Sequence, residues 1–374
     1  MTRCRLTTAV LLASALVGVT VPTATAGGSD RSAAADAVQE RLDVLVEEDG
    51  VPGVLAHGDA GTRTAGTADL VAQTPMPGAD GQVRIASNTK AFTATAVMRL
   101  VADGQLRLND RAGEFVPRLA DSTVTVRQLL NQTSGLPEHV QLMDWSAVGT
   151  PAEELLALAL TQEPAFAPGT DWGYSNTNYL VLGMIIDEVT GEDFRTYVES
   201  TILDPLGLDD TYWPEVGELE LRGPHARNYG VSPVDPAAGT TDVTELPGYE
   251  FGAAGGLVST PEDLNTFWSA LLDDGELLPW WAVWLMTHDT TDVGGRDLYP
   301  ADTRYGYGLT RYALSCGGSY WGHGGDLPGN TVVGGHSVAR DETVTVYGTT
   351  VAADPEVRGQ LLDVVDAAFC ADGR

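Results

Sequence analysis

Lys90 is the only lysine in a chain that carries twenty arginines, and it stands three residues after Ser87 in the stretch IASNTKAF. A serine hydroxyl is a weak nucleophile at neutral pH and needs a base within hydrogen-bond reach. On a helix, residues i and i+3 face the same way, so a lysine at this spacing can present its amine to the hydroxyl one turn below. Burial lowers a lysine pKa toward neutrality, where the amine can accept a proton. Arginine cannot fill that role because it stays protonated. A helix N-terminus at Ser87 would add free backbone N–H groups and partial positive charge where an oxyanion forms. Ser-x-x-Lys alone also occurs on solvated helix faces, so the pair needs company before it means chemistry.

Two later stretches supply it. PGTDWGYSNTNY, residues 168–179, sets Tyr174, Ser175 and Asn176 in a loop that leads into a helix. YWGHGGDLPGN, residues 320–330, sets His323, Gly324 and Gly325 on a strand. Each alone reads as a turn or a glycine-rich strand edge. In this order after Ser87 and Lys90, they make the chain resemble the serine penicillin-recognising hydrolases, the superfamily of D-alanyl-D-alanine carboxypeptidases and class C β-lactamases. Those proteins carry Ser-x-x-Lys, then Tyr-x-Asn, then Lys-Thr-Gly or His-x-Gly. The resemblance extends to TVRQLLNQTSGLP, with Gln132 where the family usually has histidine, and to AAGGLVSTPEDLNTF and RYGYGLT. The histidine form of the third motif, with cysteines at 316 and 370, looks most like the soluble secreted DD-carboxypeptidases.

The resemblance implies a role for each residue. Ser87 attacks the scissile carbonyl and becomes acylated. Tyr174, as a phenolate stabilised by Lys90, takes the serine proton and passes it to the leaving amine. Asn176 holds the lysine and the substrate amide. The backbone N–H groups of Ser87 and of Asp326, after Gly325, form the oxyanion hole. His323 donates beside Tyr174 and, if protonated, meets a terminal carboxylate. No metal or organic cofactor is implied. Gly324 and Asp326 stand where carboxypeptidases of the family place hydroxyl residues, and an acid there repels a carboxylate. Arg311 is the expected compensating cation. The activity implied is a DD-carboxypeptidase that β-lactams acylate. A β-lactamase, a D-aminopeptidase or an esterase is the alternative, and a catalytically silent binder of cell-wall peptide or antibiotic is the alternative of a different class. Asp326 favours the amine-binding option.

The elements that must position these groups follow from patterning. Residues 53–58, 62–67 and 82–86 alternate as strands, and the segment from Ser87 to Gly104 reads as a long helix. Helical patterns joined by Pro/Gly loops fill 105–245, and strand texture returns in the last quarter before a terminal helix over 354–370. The expected fold is therefore α/β of the α+β kind. One antiparallel sheet is built from both chain ends (about 36–104 and 246–372), flanked by helices, and it carries an all-helical inserted subdomain over 105–245.

Composition sets the outer bounds. With 21 Lys+Arg against 52 Asp+Glu, the net charge is −31, which repels nucleic acid and anionic membranes. Residues 1–26 read as a secretory signal peptide, with a basic start, an apolar run and a small-x-small cleavage site. Residues 27–35 read as a flexible linker, 36–372 as the catalytic domain, and the product as a secreted monomer with no membrane span. In an oxidising compartment Cys316 and Cys370 are most simply one disulfide, two free thiols being the alternative. His139 and His336 lack partners at metal spacing. The WWAVW run at 280–284 reads as helix packing, and Tyr249 and Phe251 as candidates for the cleft wall.

Overall fold

A computed structural model describes residues 27–246, 251–273, 275–296, 298–350 and 355–370. The signal-peptide reading and Tyr249 lie outside those residues. Strands β1 (Gly53–Gly58) and β2 (Gly61–Gly66) form the first hairpin. Two short pairs follow away from the main sheet: β3 (Val83–Arg84) with β6 (Val258–Ser259), and β4 (Tyr229–Val231) with β5 (Thr240–Asp242). The remaining strands are β7 (Thr291–Asp292), β8 (Arg304–Tyr305), β9 (Thr310–Ala313), β10 (Ser319–Leu327), β11 (Asn330–Ser337) and β12 (Glu342–Gly348). They join the first hairpin in one eight-stranded sheet of order β2-β1-β12-β11-β10-β9-β8-β7. Antiparallel pairing of β1 with β12, Leu55 opposite Tyr347, ties the two chain ends together.

Alternation decides which way each strand faces. Val54, Ala56, Val333, Val344 and Val346 turn toward helices α1 (Gly27–Glu47) and α11 (Pro355–Cys370), meeting Leu42, Leu45, Leu361 and Phe369. Leu55, Val332 and Tyr347 turn the other way, into the larger core built on α2 (Thr89–Ala102). Helix α2 is wrapped on nearly every side, with all its residues from Thr89 to Met98 buried, so its N-terminus is held rigidly. The block between the sheet halves contains α3 (Val126–Leu130), α4 (Ala152–Ala159), α5 (Asn176–Thr190), α6 (Phe194–Val198) and α7 (Asp204–Leu206). Helices α8 (Gly252–Gly255), α9 (Pro261–Leu272) and α10 (Trp280–His288) lead back to the sheet.

The architecture is the α+β arrangement expected, with differences of detail. The inserted block is not all helical, because β4 and β5 form a ribbon within it. The segment at 82–86 gives a strand of two residues that pairs with β6 and not with the main sheet. Residues 27–35, read as a linker, lie in the first turns of α1, in keeping with the high helix propensity of alanine. Helix α10 buries Ala282 and Met286 but leaves Trp280 78% and Trp284 50% exposed, so the tryptophan run is only partly packing. Cys316 and Cys370 are joined, with Cα atoms 5.6 Å apart, which fixes the end of α11 to the turn between β9 and β10.

Candidate active site

The nucleophile turn is clamped from three directions. Ile85 N–H donates to Leu257 O at 3.0 Å. Asn88 Nδ2 donates to Ile85 O at 3.0 Å and to Val332 O of β11 at 3.2 Å. Strand β10 crosses so closely that a Cβ on Gly325 would sit 2.1 Å from Ile85 O, so only glycine fits there. Between these clamps Ala86 takes φ 48°, a left-handed conformation uncommon for a residue with a Cβ, and places Ser87 at the turn that opens α2.

Lys90 lies wholly inside the protein. Its Nζ is 2.9 Å from Ser87 Oγ, 2.7 Å from Asn176 Oδ1 and 2.7 Å from Ala254 O. Burial lowers its pKa from the ordinary lysine value to about 7, with Glu138 pulling the other way. In the neutral amine, two hydrogens go to the Asn176 and Ala254 oxygens, which can only accept. The lone pair is then left for Ser87, the one partner with a proton to give. The site thus holds a base aimed at its nucleophile.

Tyr174, partly buried, hydrogen-bonds Ser87, and its ring centroid lies 4.9 Å from Lys90 Nζ. Burial drives the phenol well above its usual range, and the bond to Ser87 offsets this only in part. The phenolate expected from the sequence is therefore replaced by a neutral phenol, and Lys90 is the stronger candidate for the base. Tyr174 remains placed to relay a proton.

Asn176 opens α5, and its position is set by a carboxylate that motif reading missed. Glu138 Oε2 accepts from Asn176 N at 2.7 Å and from Asn176 Nδ2 at 3.0 Å. It caps the helix where a carboxylate is favoured and puts a negative charge two hydrogen bonds from Lys90, across Asn176. Gln132, standing where the family usually has histidine, is fully buried, and its Oε1 accepts from Ser175 N at 3.0 Å to hold the same loop. His139 is buried behind them, 3.1 Å from Thr177 Oγ1.

Along β10 three expectations change. His323 is buried, with Nδ1 2.6 Å from Gly324 O and Nε2 3.1 Å from Tyr305 Oη. A carbonyl only accepts, so Nδ1 carries the hydrogen and Nε2 accepts from Tyr305. Burial and the nearby Lys90 lower its pKa to about 3, so it is neutral and has no charge to offer a carboxylate. It braces Tyr174, ring centroids 6.3 Å apart. Arg311 does not reach Asp326: it lies on β9 with Nε donating to Ser319 Oγ at 3.0 Å. The cation paired with Asp326 is Arg358 of α11, and Thr331 Oγ1 donates to the same carboxylate at 3.1 Å.

A cleft opens at Ser87, with a volume of about 400 Å³. Beside Ser87, Asn176 and Asp326 its walls are apolar: Val140, Trp145, Val231, Phe251, Leu298 and Leu327. Phe251, expected at the wall, packs edge-on against Trp145 at 5.5 Å. Among the described residues, one group with metal-ligand character stands elsewhere. Asp273, His336 and Asp341 bring their ligand atoms within 4.8 Å of one another, so His336 has partners that spacing did not reveal.

A family model described as Beta-lactamase matches residues 35–367. A D-stereospecific amidohydrolase from Streptomyces sp. is similar in structure, with TM-score 0.77 and 33% identity, over 90% of this chain and 98% of that one. The D-amino acid amidase from Ochrobactrum anthropi SV3 complexed with D-phenylalanine gives TM-score 0.79 and 30% identity over the same shares. Protein flp of Staphylococcus aureus (strain COL) is 36% identical over 134 residues, 34% of this chain and only 27% of the length of that relative.

Proposed function

The chain belongs to the beta-lactamase family, and from that premise we propose that it is a serine amidohydrolase that opens D-amino-acid amides through an acyl-enzyme. The observation that carries the chemistry is the Lys90 amine, held by two obligate acceptors so that its lone pair meets Ser87. Neutral Lys90 takes the Ser87 proton as Oγ bonds to the carbonyl carbon. The oxyanion rests on the backbone N–H groups of Ser87 and Asp326. Tyr174 gives its proton to the departing nitrogen and recovers one from the Lys90 ammonium. Water then cleaves the ester by the reverse path, so amide and water become acid and ammonia or amine.

Charge around the cleft favours an amine over a carboxylate on the substrate. His323 is neutral, Arg358 is tied to Asp326, and Glu138 adds a negative charge behind Asn176. The apolar wall suits a D-amino acid with a large hydrophobic side chain. The amidase and amidohydrolase activities of the similar structures support the same reading. A DD-carboxypeptidase needs a cation for the terminal carboxylate, and the two expected from the sequence, His323 and Arg311, do not supply one.

Turnover of D-phenylalanine amide, its L-enantiomer, a D-Ala-D-Ala peptide and benzylpenicillin, with intact mass for adducts, tests the proposal. Selective release of ammonia from the D-amide is expected. Turnover of the peptide with the D-amide untouched would restore the carboxypeptidase. We further propose that the protein is exported, a placement consistent with the Cys316–Cys370 bond. Recovery from medium with Gly27 as the first residue checks it. All the catalytic groups come from one chain, so a monomer suffices, and its mass in solution tests that.

A further inference from the structure

Asp326 is a poor choice for its place. The residue lines the cleft with Ser87, where negative charge develops during acylation; its side chain leaves the strand on the face shared with Gly324, and a free carboxylate at that short distance opposes the oxyanion. The structure deals with it from behind. Arg358 rises from α11, on the far face of the sheet, and its Nη1 meets Asp326 Oδ2. The arginine side chain is 5% exposed and the aspartate 21%. The guanidinium occupies the space where Gly324 has no side chain: a Cβ there would lie 2.0 Å from Nη2 and 2.9 Å from Cζ. Thr331 Oγ1 holds the other carboxylate oxygen at 3.1 Å. Gly324 and Gly325 thus open the strand in opposite directions, one to Arg358 and the other to the nucleophile turn.

A buried guanidinium is costly unless a carboxylate meets it, and such pairs add more to geometry than to stability. We propose that Arg358 is a positioning residue of the active site: passing through the gap at Gly324, it holds the Asp326 carboxylate on the α11 face of the strand and cancels its charge, so the strand presents only backbone to the reacting carbonyl. The pair reaches the catalytic groups electrostatically, because Tyr174 lies in the field of both Asp326 and Arg358. This inference rests on the acyl-enzyme reading above but not on the identity of the amide.

The test is the rate of Ser87 acylation by an activated ester, followed by intact mass in the full-length protein, for wild type, Arg358→Met and Asp326→Asn/Arg358→Met. Arg358→Met frees the carboxylate and is expected to slow acylation about 100-fold, the scale of a small displacement at a catalytic centre. It should also move the acid limb of the pH profile upward, since an unpaired anion favours protonated bases. Neutralising both partners should recover most of the rate and return the limb. Acylation by Arg358→Met at near the wild-type rate overturns the proposal. So does a double variant as slow as the single one while its near-ultraviolet circular dichroism is native, because Arg358 is then packing alone. If Arg358→Met does not fold, Arg358→Gln compared with Asp326→Asn/Arg358→Gln gives the same reading, with the single variant expected to be the slower. Wild type that is acylated by ester yet leaves D-amides intact defeats the amidase assignment and leaves this comparison standing.

Discussion

Two buried cations flank the cleft, and they behave in opposite ways. Lys90 and Arg358 are both almost wholly removed from solvent. Lys90 meets a hydroxyl, an amide oxygen and a carbonyl, with Glu138 only beyond Asn176; its charge is poorly supported, and its pKa falls to about 7. For Arg358 burial is the largest influence and opposes the charge, but the Asp326 carboxylate in direct contact, together with Tyr312 and Tyr299, outweighs it and the pKa rises. Depth of burial therefore does not decide what a cation does here. The nearest oxygen does, together with whether the side chain can release a proton at all. One cation is a proton carrier and the other a fixed strut.

The contrast is broken most directly on the labile side. Ser87→Ala should abolish the covalent adduct in intact mass spectra. Lys90→Arg keeps the charge but cannot give up a proton, and should slow acylation about a hundred- to ten-thousand-fold, the range general-base catalysis supplies. A Lys90→Arg protein that acylates normally would make both cations struts. Glu138→Gln should weaken binding of an amine-bearing D-amide about tenfold, equivalent to about 1.4 kcal/mol. It should also shift the acid limb of acylation below about 7, because Glu138 is what raises the Lys90 pKa; steady-state kinetics against pH reads both.

A subtler test is the pH dependence of stability. The folded protein holds Lys90 at about 7, against 10.5 for an ordinary lysine, so between those values the unfolded chain binds more protons than the folded one. The contribution of this group to stability therefore grows as pH rises through that window and is lost as pH falls to about 7. Urea unfolding of wild type and Lys90→Met should show the difference moving in favour of wild type from pH 7 to 10, and a flat difference contradicts the depressed pKa. The smallest effect on rate belongs to Cys316→Ser/Cys370→Ser. It should cost about 4 kcal/mol of stability on the chain-entropy account while acylation stays close to normal; thermal melts and the ester assay separate the two.

Much of the catalytic wall was legible because it is local. Ser87 and Lys90 sit on one helix turn, so spacing alone aligned them, and Asn176 follows Tyr174 into α5. Strands β1 and β2 were visible from alternation and glycine boundaries. What stayed hidden depends on groups brought together from afar. The charge of His323 is set by its burial and by Lys90 on α2, and its tautomer by Gly324 O and by Tyr305 on β8. Glu138 gains its role only where its loop meets the start of α5. Arg358 sits in a helix whose pattern reads as ordinary sheet cover, and nothing near it in sequence points to a partner on β10.

The cleft wall divides by origin in the chain. Nucleophile and base ride on the opening turns of α2, whereas Val140, Trp145 and Val231 come from the inserted block, as do Tyr174 and Asn176, and Phe251, Leu298 and Leu327 come from the returning sheet half. Val140, Trp145 and Val231 are thus wall positions distinct from the proton-path residues Ser87, Lys90 and Tyr174. A substrate preference can drift through substitutions at the three wall positions while the proton path is conserved. A library confined to those positions would sample new amides from a working catalyst instead of having to rebuild one.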